Sequence, residues 1–202
     1  MNKPDMLKMI AEKAYDVGFG AKKHFATYDI IEKAPGLISF SSMAFGIFAL
    51  AIKDLPTELI SATFIVLGVV GLYISFYNHK KDTYDQAGVA LTQLFNELKA
   101  LYLTVKSMDE DGDFSGPQKE LLQIENRYYQ TCISKQILFS NWYAHYKFYW
   151  ELQIGWINEQ LKFNFFRDKV PLSLWMFLLV VMAIVFISFS DLGNYICSTA
   201  KA

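Results

Sequence analysis

The chain has 202 residues, 19 Lys and Arg against 20 Asp and Glu for a net charge of −1, and a mean hydropathy of +0.19. There is no global basic field and no Lys/Arg cluster joined to a recognition motif, which argues against nucleic acid as a partner. The two cysteines, Cys132 and Cys197, form no CxxC or Cys/His spacing, which argues against a disulfide scaffold or a cysteine metal site.

Residues 1–33 are polar and charged and lack the short apolar core of a cleavable signal. From Pro4 to Lys33, Leu7, Ile10, Ala14, Val17, Ala21, Phe25 and Tyr28 recur at three- and four-residue steps, predicting an amphipathic helix. Gly18 and Gly20 interrupt it, which predicts a bend or a close backbone approach. His24 reads as a surface or interfacial histidine beside Lys22 and Lys23.

Two apolar runs follow, Ala34–Ile52 and Leu59–Tyr77, with no Asp, Glu, Lys, Arg or His inside either. A helix of about 20 such residues crosses a hydrocarbon layer about 30 Å thick. The intervening Lys53-Asp54-Leu55-Pro56-Thr57-Glu58 turns the chain at the membrane surface, so residues 34–77 predict a transmembrane hairpin. A chain of this size has too little other apolar surface to bury two helices that are hydrophobic on every side. Ser42 and Gly46 in the first run, and Gly68, Gly71 and Ser75 in the second, are small residues at helix-packing spacing. They pack the two helices of one hairpin together or join hairpins of different subunits.

Asp82–Met108 carries Ala90, Leu94, Leu98, Leu101 and Val105 in a helical stripe and predicts an amphipathic helix leaving the membrane. The acidic turn 109–117 places Asp109, Asp111 and Asp113 with Glu120 at the spacing of a calcium loop. Phe114 stands where such a loop needs glycine, so the turn is read as a solvated helix connection with these four residues as a weak metal candidate. From Gln118 to Arg167 a helical pattern runs without proline, a length that predicts a coiled coil or a bundle partner. Its second half is rich in aromatic residues, which pack on the 82–108 helix or lie near lipid headgroups. Val170–Phe189 is a third uncharged run and predicts a third transmembrane helix, followed by a short tail at 190–202.

Orientation follows from the basic residues. Six lysines (Lys3, Lys8, Lys13, Lys22, Lys23 and Lys33) precede Ala34, and Lys80 and Lys81, Arg167 and Lys169 flank the spans at the ends of the 78–169 segment. The hairpin turn has only Lys53 and the tail only Lys201. The N-terminus and residues 78–169 are therefore expected on the cytoplasmic side of the inner membrane, with Cys132, and the tail outside with Cys197.

No nucleophile elbow, HExxH, P-loop or dinucleotide fingerprint occurs, and His24, His79 and His145 are scattered. The expectation is an all-α membrane protein that is not an enzyme and needs no cofactor. AYDVGFGAKKHFATYDIIEKAPG (Ala14–Gly36), leading directly into a tight two-span hairpin and then a helical hairpin, resembles the bacterial SLATT family. The resemblance covers Ala14–Tyr77 in detail and the layout through Arg167. It implies a membrane effector of nucleotide-signal phage-defence systems that forms pores and kills the infected cell. It also implies a partner that senses the signal, since no nucleotide-sensor domain is recognisable here. The expected function is an oligomeric effector that permeabilises the inner membrane, with the lipid bilayer, further copies of the chain and a sensor protein as partners. The alternative is a membrane-anchored scaffold whose cytoplasmic helices bind a partner protein.

Overall fold

The computed structural model describes residues 2–52 and 57–189. Among them every regular element is helical: α1 (Lys3–Ala51), α2 (Thr57–Ser75), a 3₁₀ turn (Asn78–Lys80), α3 (Lys81–Ser107), α4 (Ser115–Thr131), α5 (Ser140–Tyr146), α6 (Gly155–Leu161) and α7 (Leu172–Phe189), with π turns at Lys147–Glu151 and Phe165–Lys169. Residues Met1–Leu161 form one compact unit and Lys162–Ala202 a second.

α1 starts where the Asn2 side chain accepts the Asp5 N–H at 2.9 Å, with Pro4 in the first turn where its missing N–H costs nothing. The sequence divides this region at residue 34 into an amphipathic helix and a membrane span. The chain runs through as one helix of 49 residues, with Pro35 inside it. Proline removes the bond its own N–H would give to the Ile31 carbonyl and its ring crowds that carbonyl, yet the chain stays helical on both sides. The Ser39 hydroxyl adds a bond to the Pro35 carbonyl at 2.9 Å, and that of Ser42 one to Ile38 at 2.8 Å, the kind of support that lets membrane helices carry proline.

The first two-thirds of α1 lie antiparallel to α3. The register is visible from end to end: Lys3 donates to the Met108 carbonyl at 2.7 Å, Gly18 lies under the Phe95 ring, Gly88 under the Phe25 ring, and Lys81 meets Glu32 at 2.6 Å. Of the predicted α1 stripe, Leu7, Ile10, Ala14, Val17 and Ala21 are buried, joined by Met6 and Ala11. On α3, Leu94, Leu98, Leu101 and Val105 are buried, and Leu91 and Tyr84 are completely so. Of the bend or close approach expected at Gly18 and Gly20, the close approach is seen, and the helix runs through both glycines. Gly18 makes room for a ring, because a Cβ there would stand 2.8 Å from Phe95 and 3.0 Å from Phe148.

The segment 118–167 departs from the single long helix its pattern predicts. α4 ends at Thr131, α5 and α6 have seven residues each, and extended or π backbone separates them. The cause lies in partners outside the segment. His24 accepts the Ile133 N–H at 3.0 Å, and the Tyr84 hydroxyl donates to the Lys135 carbonyl at 2.6 Å, so backbone groups leave their own ladder without going unsatisfied. The pieces then wrap the bundle. Phe148 is fully buried against Tyr15 and Phe19 of α1, with ring centroids 5.4 and 5.9 Å away. Trp156 packs on Phe95 and Tyr102 of α3 at 5.7 and 5.0 Å.

In the second unit the Asn164 side chain accepts the Phe166 N–H at 3.0 Å, and Asp168 accepts the Asn164 N–H at 2.7 Å, which closes the π turn. α7 follows Pro171, whose carbonyl accepts the Leu174 N–H at 2.9 Å.

Candidate membrane hairpin and its junction with the bundle

Past Ala34, α1 changes character. Its residues no longer alternate between a buried and a wet face: Leu37, Phe40, Met43, Ile47 and Phe48 are all more than half exposed, and Leu50 is 91% exposed. α2 behaves alike through Leu59, Ile65, Val69 and Leu72. Both helices are long and apolar enough to cross a membrane, and almost none of that apolar surface is buried within the chain. Surface of this kind is stable only when lipid or another apolar protein surface covers it.

The small residues divide between the facing and the open sides of the hairpin. A Cβ added at Gly46 or Gly68 would meet nothing within 4 Å, and one at Gly71 would touch Ile38 at an ordinary 3.9 Å. Ser42 and Ser75 spend their hydroxyls on their own helices, Ser75 donating to the Leu72 carbonyl at 2.7 Å. The contact between the spans comes from larger side chains, such as Phe45 against Phe64 at 5.5 Å. Of the two uses expected of these residues, Gly71 has a neighbour across its own hairpin, and Gly46 and Gly68 have none within the chain.

Where the hairpin meets the bundle, Ile31, Ile74, Tyr77, Tyr84 and Ile137 form one buried cluster, with Tyr28, Ile30, Ala34 and Ile133 around it. It joins α1, α2, α3 and the 132–139 connection. The Tyr73 hydroxyl accepts the Leu138 N–H at 3.3 Å and lies 3.4 Å from the Tyr77 hydroxyl. Charges ring this cluster on the bundle side. Lys81 pairs with Glu32, and the Lys81 pKa is raised by that hydrogen bond. Asp29 sits between Lys33 at 2.6 Å and Lys147 at 2.7 Å. Burial alone would raise the Asp29 carboxyl, but its bonds to Lys147 and Lys33 outweigh it and hold the pKa below the usual carboxylate range. Lys80 lies exposed in the 3₁₀ turn. Within the second unit, described by itself, Arg167 pairs with neighbouring Asp168 at 3.0 Å and Lys169 closes the π turn before α7.

His24 is a correction to the sequence reading. It is 2% exposed, with Nδ1 2.7 Å from the Gly20 carbonyl and Nε2 3.0 Å from the Ile133 nitrogen. The peptide N–H must donate to Nε2, so the ring is neutral and carries its proton on Nδ1, donated to Gly20. Burial lowers its pKa. It is a structural pin between α1 and the 132–139 connection.

The acidic turn gathers no cation site. Among the described residues no group of three or more His, Cys, Asp or Glu could hold a metal, so Asp109, Asp111, Asp113 and Glu120 do not converge. Asp113 accepts the Ser115 N–H at 2.9 Å and its hydroxyl at 2.8 Å at the start of α4, and the Asp109 carbonyl accepts the Gly112 N–H at 3.1 Å. The junction residues His24, Asp29 and Lys147 had little sequence signal. The Asp29–Lys33 spacing of four was visible, but nothing local marks Lys147 as the second partner.

Helical throughout its described residues, with two apolar helices of which one continues the main helix of a polar bundle, the chain has the build of a two-span membrane protein. The chain belongs to the SMODS and SLOG-associating 2TM effector domain family, matching its domain 6 over residues 1–178. The match takes in the bundle and the hairpin and ends within α7. No curated protein and no solved structure matches the chain. The protein is therefore a membrane effector domain of a kind associated with defence systems.

Proposed function

We propose that the protein is an oligomeric effector of the phage-defence or abortive-infection type, which permeabilises the inner membrane when its bundle or a partner sensor releases the hairpin. The observation that carries this reading is the continuity of α1. One helix holds the core of the bundle through Ile10, Ala14 and Val17 and carries on as the first span, so a shift of the bundle transmits to the membrane without a hinge. The apolar sides of the hairpin, open at Gly46 and Gly68, offer the surface on which further copies pack. A passage needs several copies, because two or three spans cannot enclose one. Induced expression should collapse the membrane potential and arrest growth, and Gly68→Leu should reduce both, together with the oligomer population in detergent. Full depolarisation with a monomeric Gly68→Leu protein would refute the oligomeric reading.

The proposed orientation places the N-terminus and residues 78–169 in the cytoplasm, with α7 as a third span and the tail, which lies outside the described residues, on the external side. It rests on the basic residues flanking the spans. An impermeant thiol reagent on spheroplasts should label Cys197 and spare Cys132; the reverse pattern, or equal labelling of both, would overturn this assignment.

The scaffold reading is favoured by one feature. A groove of about 250 Å³ between α1 and α4, lined by Met9, Glu12, Lys13, Asp16, Leu121 and Leu122, lies toward the far end of the bundle from the hairpin, where a partner could dock. A scaffold would leave the potential intact on expression, which separates the two readings.

A further inference from the structure

The connection after α4 carries apolar side chains that the bundle does not use. Leu138 and Phe139 are 61% and 56% exposed, and Tyr146 and Trp150 on the following turns are similarly open. Phe139 stands at φ 66°, in the left-handed region that a bulky residue adopts only under constraint, and its ring contacts Trp142 at 5.2 Å. The turn is held by buried Ile137 and Ser140, whose N–H and hydroxyl both donate to the Ile137 carbonyl at 3.2 and 2.7 Å, and it leaves the Leu138 and Phe139 side chains outside the fold.

Two observations give the depth of this segment. The Leu138 N–H donates to the hydroxyl of Tyr73, which lies one helical turn inside the end of the second apolar run. Tyr143 lines a cavity of about 230 Å³ with the charged Asp29 and Lys33 and with Ala34 and Leu37, the first residues of the first span. The segment therefore runs from the level of the second span's last turn to the line where the charged end of the bundle meets the first span. Lys135 flanks the segment, its ammonium 5.4 Å from the centre of the Tyr77 ring, and on the other side Lys33 is held by Asp29 at 2.6 Å, so both cations stand at the charged edge of the junction. Tyr and Trp are the side chains that favour this layer, with one apolar and one wet end.

We propose that residues 137–146 form a membrane-embedded foot: Leu138 and Phe139 insert into the acyl boundary of the leaflet beside the hairpin, with Trp142, Tyr143 and Tyr146 at headgroup level. The occupant of this face is lipid, because the face is continuous with the apolar surface of the hairpin and at the same depth. The foot would anchor the bundle at the base of the spans and fix the rotation of α1. This inference rests on the hairpin crossing the bilayer.

The test uses the full chain with Cys132→Ser and Cys197→Ser, reconstituted in vesicles of equal parts phosphatidylcholine and phosphatidylglycerol. Single cysteines at Phe139→Cys, Leu138→Cys, Leu72→Cys and Leu122→Cys carry an environment-sensitive fluorophore. Labels at 138 and 139 should shift to the blue, lose most of their emission to lipids bearing a nitroxide high on the acyl chain, and ignore aqueous iodide. The label at 122, on α4, should do the opposite. Iodide quenching at both 138 and 139 overturns the foot, and the label at 72 shows whether the hairpin reading falls with it. Shielding from both quenchers also overturns it, since a second protein surface would then cover the face. The position 138 variant keeps the test decisive if the change at strained position 139 impairs folding.

Discussion

The two parts of α1 share one uninterrupted backbone and differ in almost everything else. Before Lys33, apolar residues fall on a single stripe, and Ile10, Ala14 and Val17 are fully buried against protein. After Ala34, apolar residues surround the helix, and Leu37, Phe40 and Leu50 face outward. In the first part water drives the stripe inward, and small residues let α3 approach closely. In the second part the surrounding medium is itself apolar, so no such drive brings the helices together and bulky side chains face lipid at no cost. The same helix thus obeys two packing rules because it has two solvents, and single substitutions on it should show two scales of effect.

The widest separation is expected from an isoleucine in each part. Ile10→Ala removes a fully buried side chain and should cost about 2–5 kcal/mol, measured as a fall in the denaturation midpoint of the solubilised protein. Ile47→Ala, at a position 61% exposed, should change that midpoint by no more than about 0.5 kcal/mol. Equal effects would mean that the membrane part of α1 is packed against protein after all.

Glycine gives the next contrast. Gly18→Ala drives a methyl group to within 2.8 Å of the Phe95 ring, which is itself held by Trp156 and cannot swing away, and should destabilise the bundle by about 1–3 kcal/mol. Gly46→Ala has open space and should be neutral or stabilising by up to about 1 kcal/mol, through helix propensity alone. A destabilising Gly46→Ala would reveal a neighbouring chain at that face, which sharpens the comparison rather than ending it.

The smallest effect is a pH dependence confined to the bundle. The unfolded chain takes up a proton on His24 near its ordinary value of 6.5, whereas burial keeps the folded ring neutral to lower pH. Stability is therefore complete above about pH 6.5 and falls as the pH drops through that value, levelling off below the folded pKa. Each unit between the two values costs about 1.4 kcal/mol. His145, whose pKa burial also lowers, acts in the same direction. Asp29 keeps its contribution until the pH falls into the ordinary carboxylate range and loses it from there down through its lowered folded pKa, so it does not share this window. Thermal midpoints from pH 8 to pH 5 should fall less in His24→Gln than in the parent, and an identical fall in both would remove His24 from the account.

Several elements were legible in the residue order because their cause is local. The absence of charge from Ala34–Ile52 and Leu59–Tyr77 marks the spans whatever surrounds them, and the stripes of α1 and α3 announce their buried faces. The candidate site was readable only in part. Gly46 and Gly68 were picked out by spacing, but that they face away from their own hairpin depends on how two helices are rotated, which spacing does not encode. Lys81 is expected at the membrane edge from sequence alone, but its pairing with Glu32 depends on the antiparallel register of α1 and α3.

By itself the sequence determined that this chain is helical and enters a membrane, because hydrophobic period and missing charge act through solvent and need no partner. Tertiary structure decided where the pattern after Gln118 breaks. His24 reaches Ile133 across 109 positions, and Tyr84 reaches Lys135 across 51, each supplying a backbone hydrogen bond that the local ladder would otherwise have made. A helix ends where a distant group satisfies its backbone as well as its own next turn would, and that competition becomes visible only once the chain has folded.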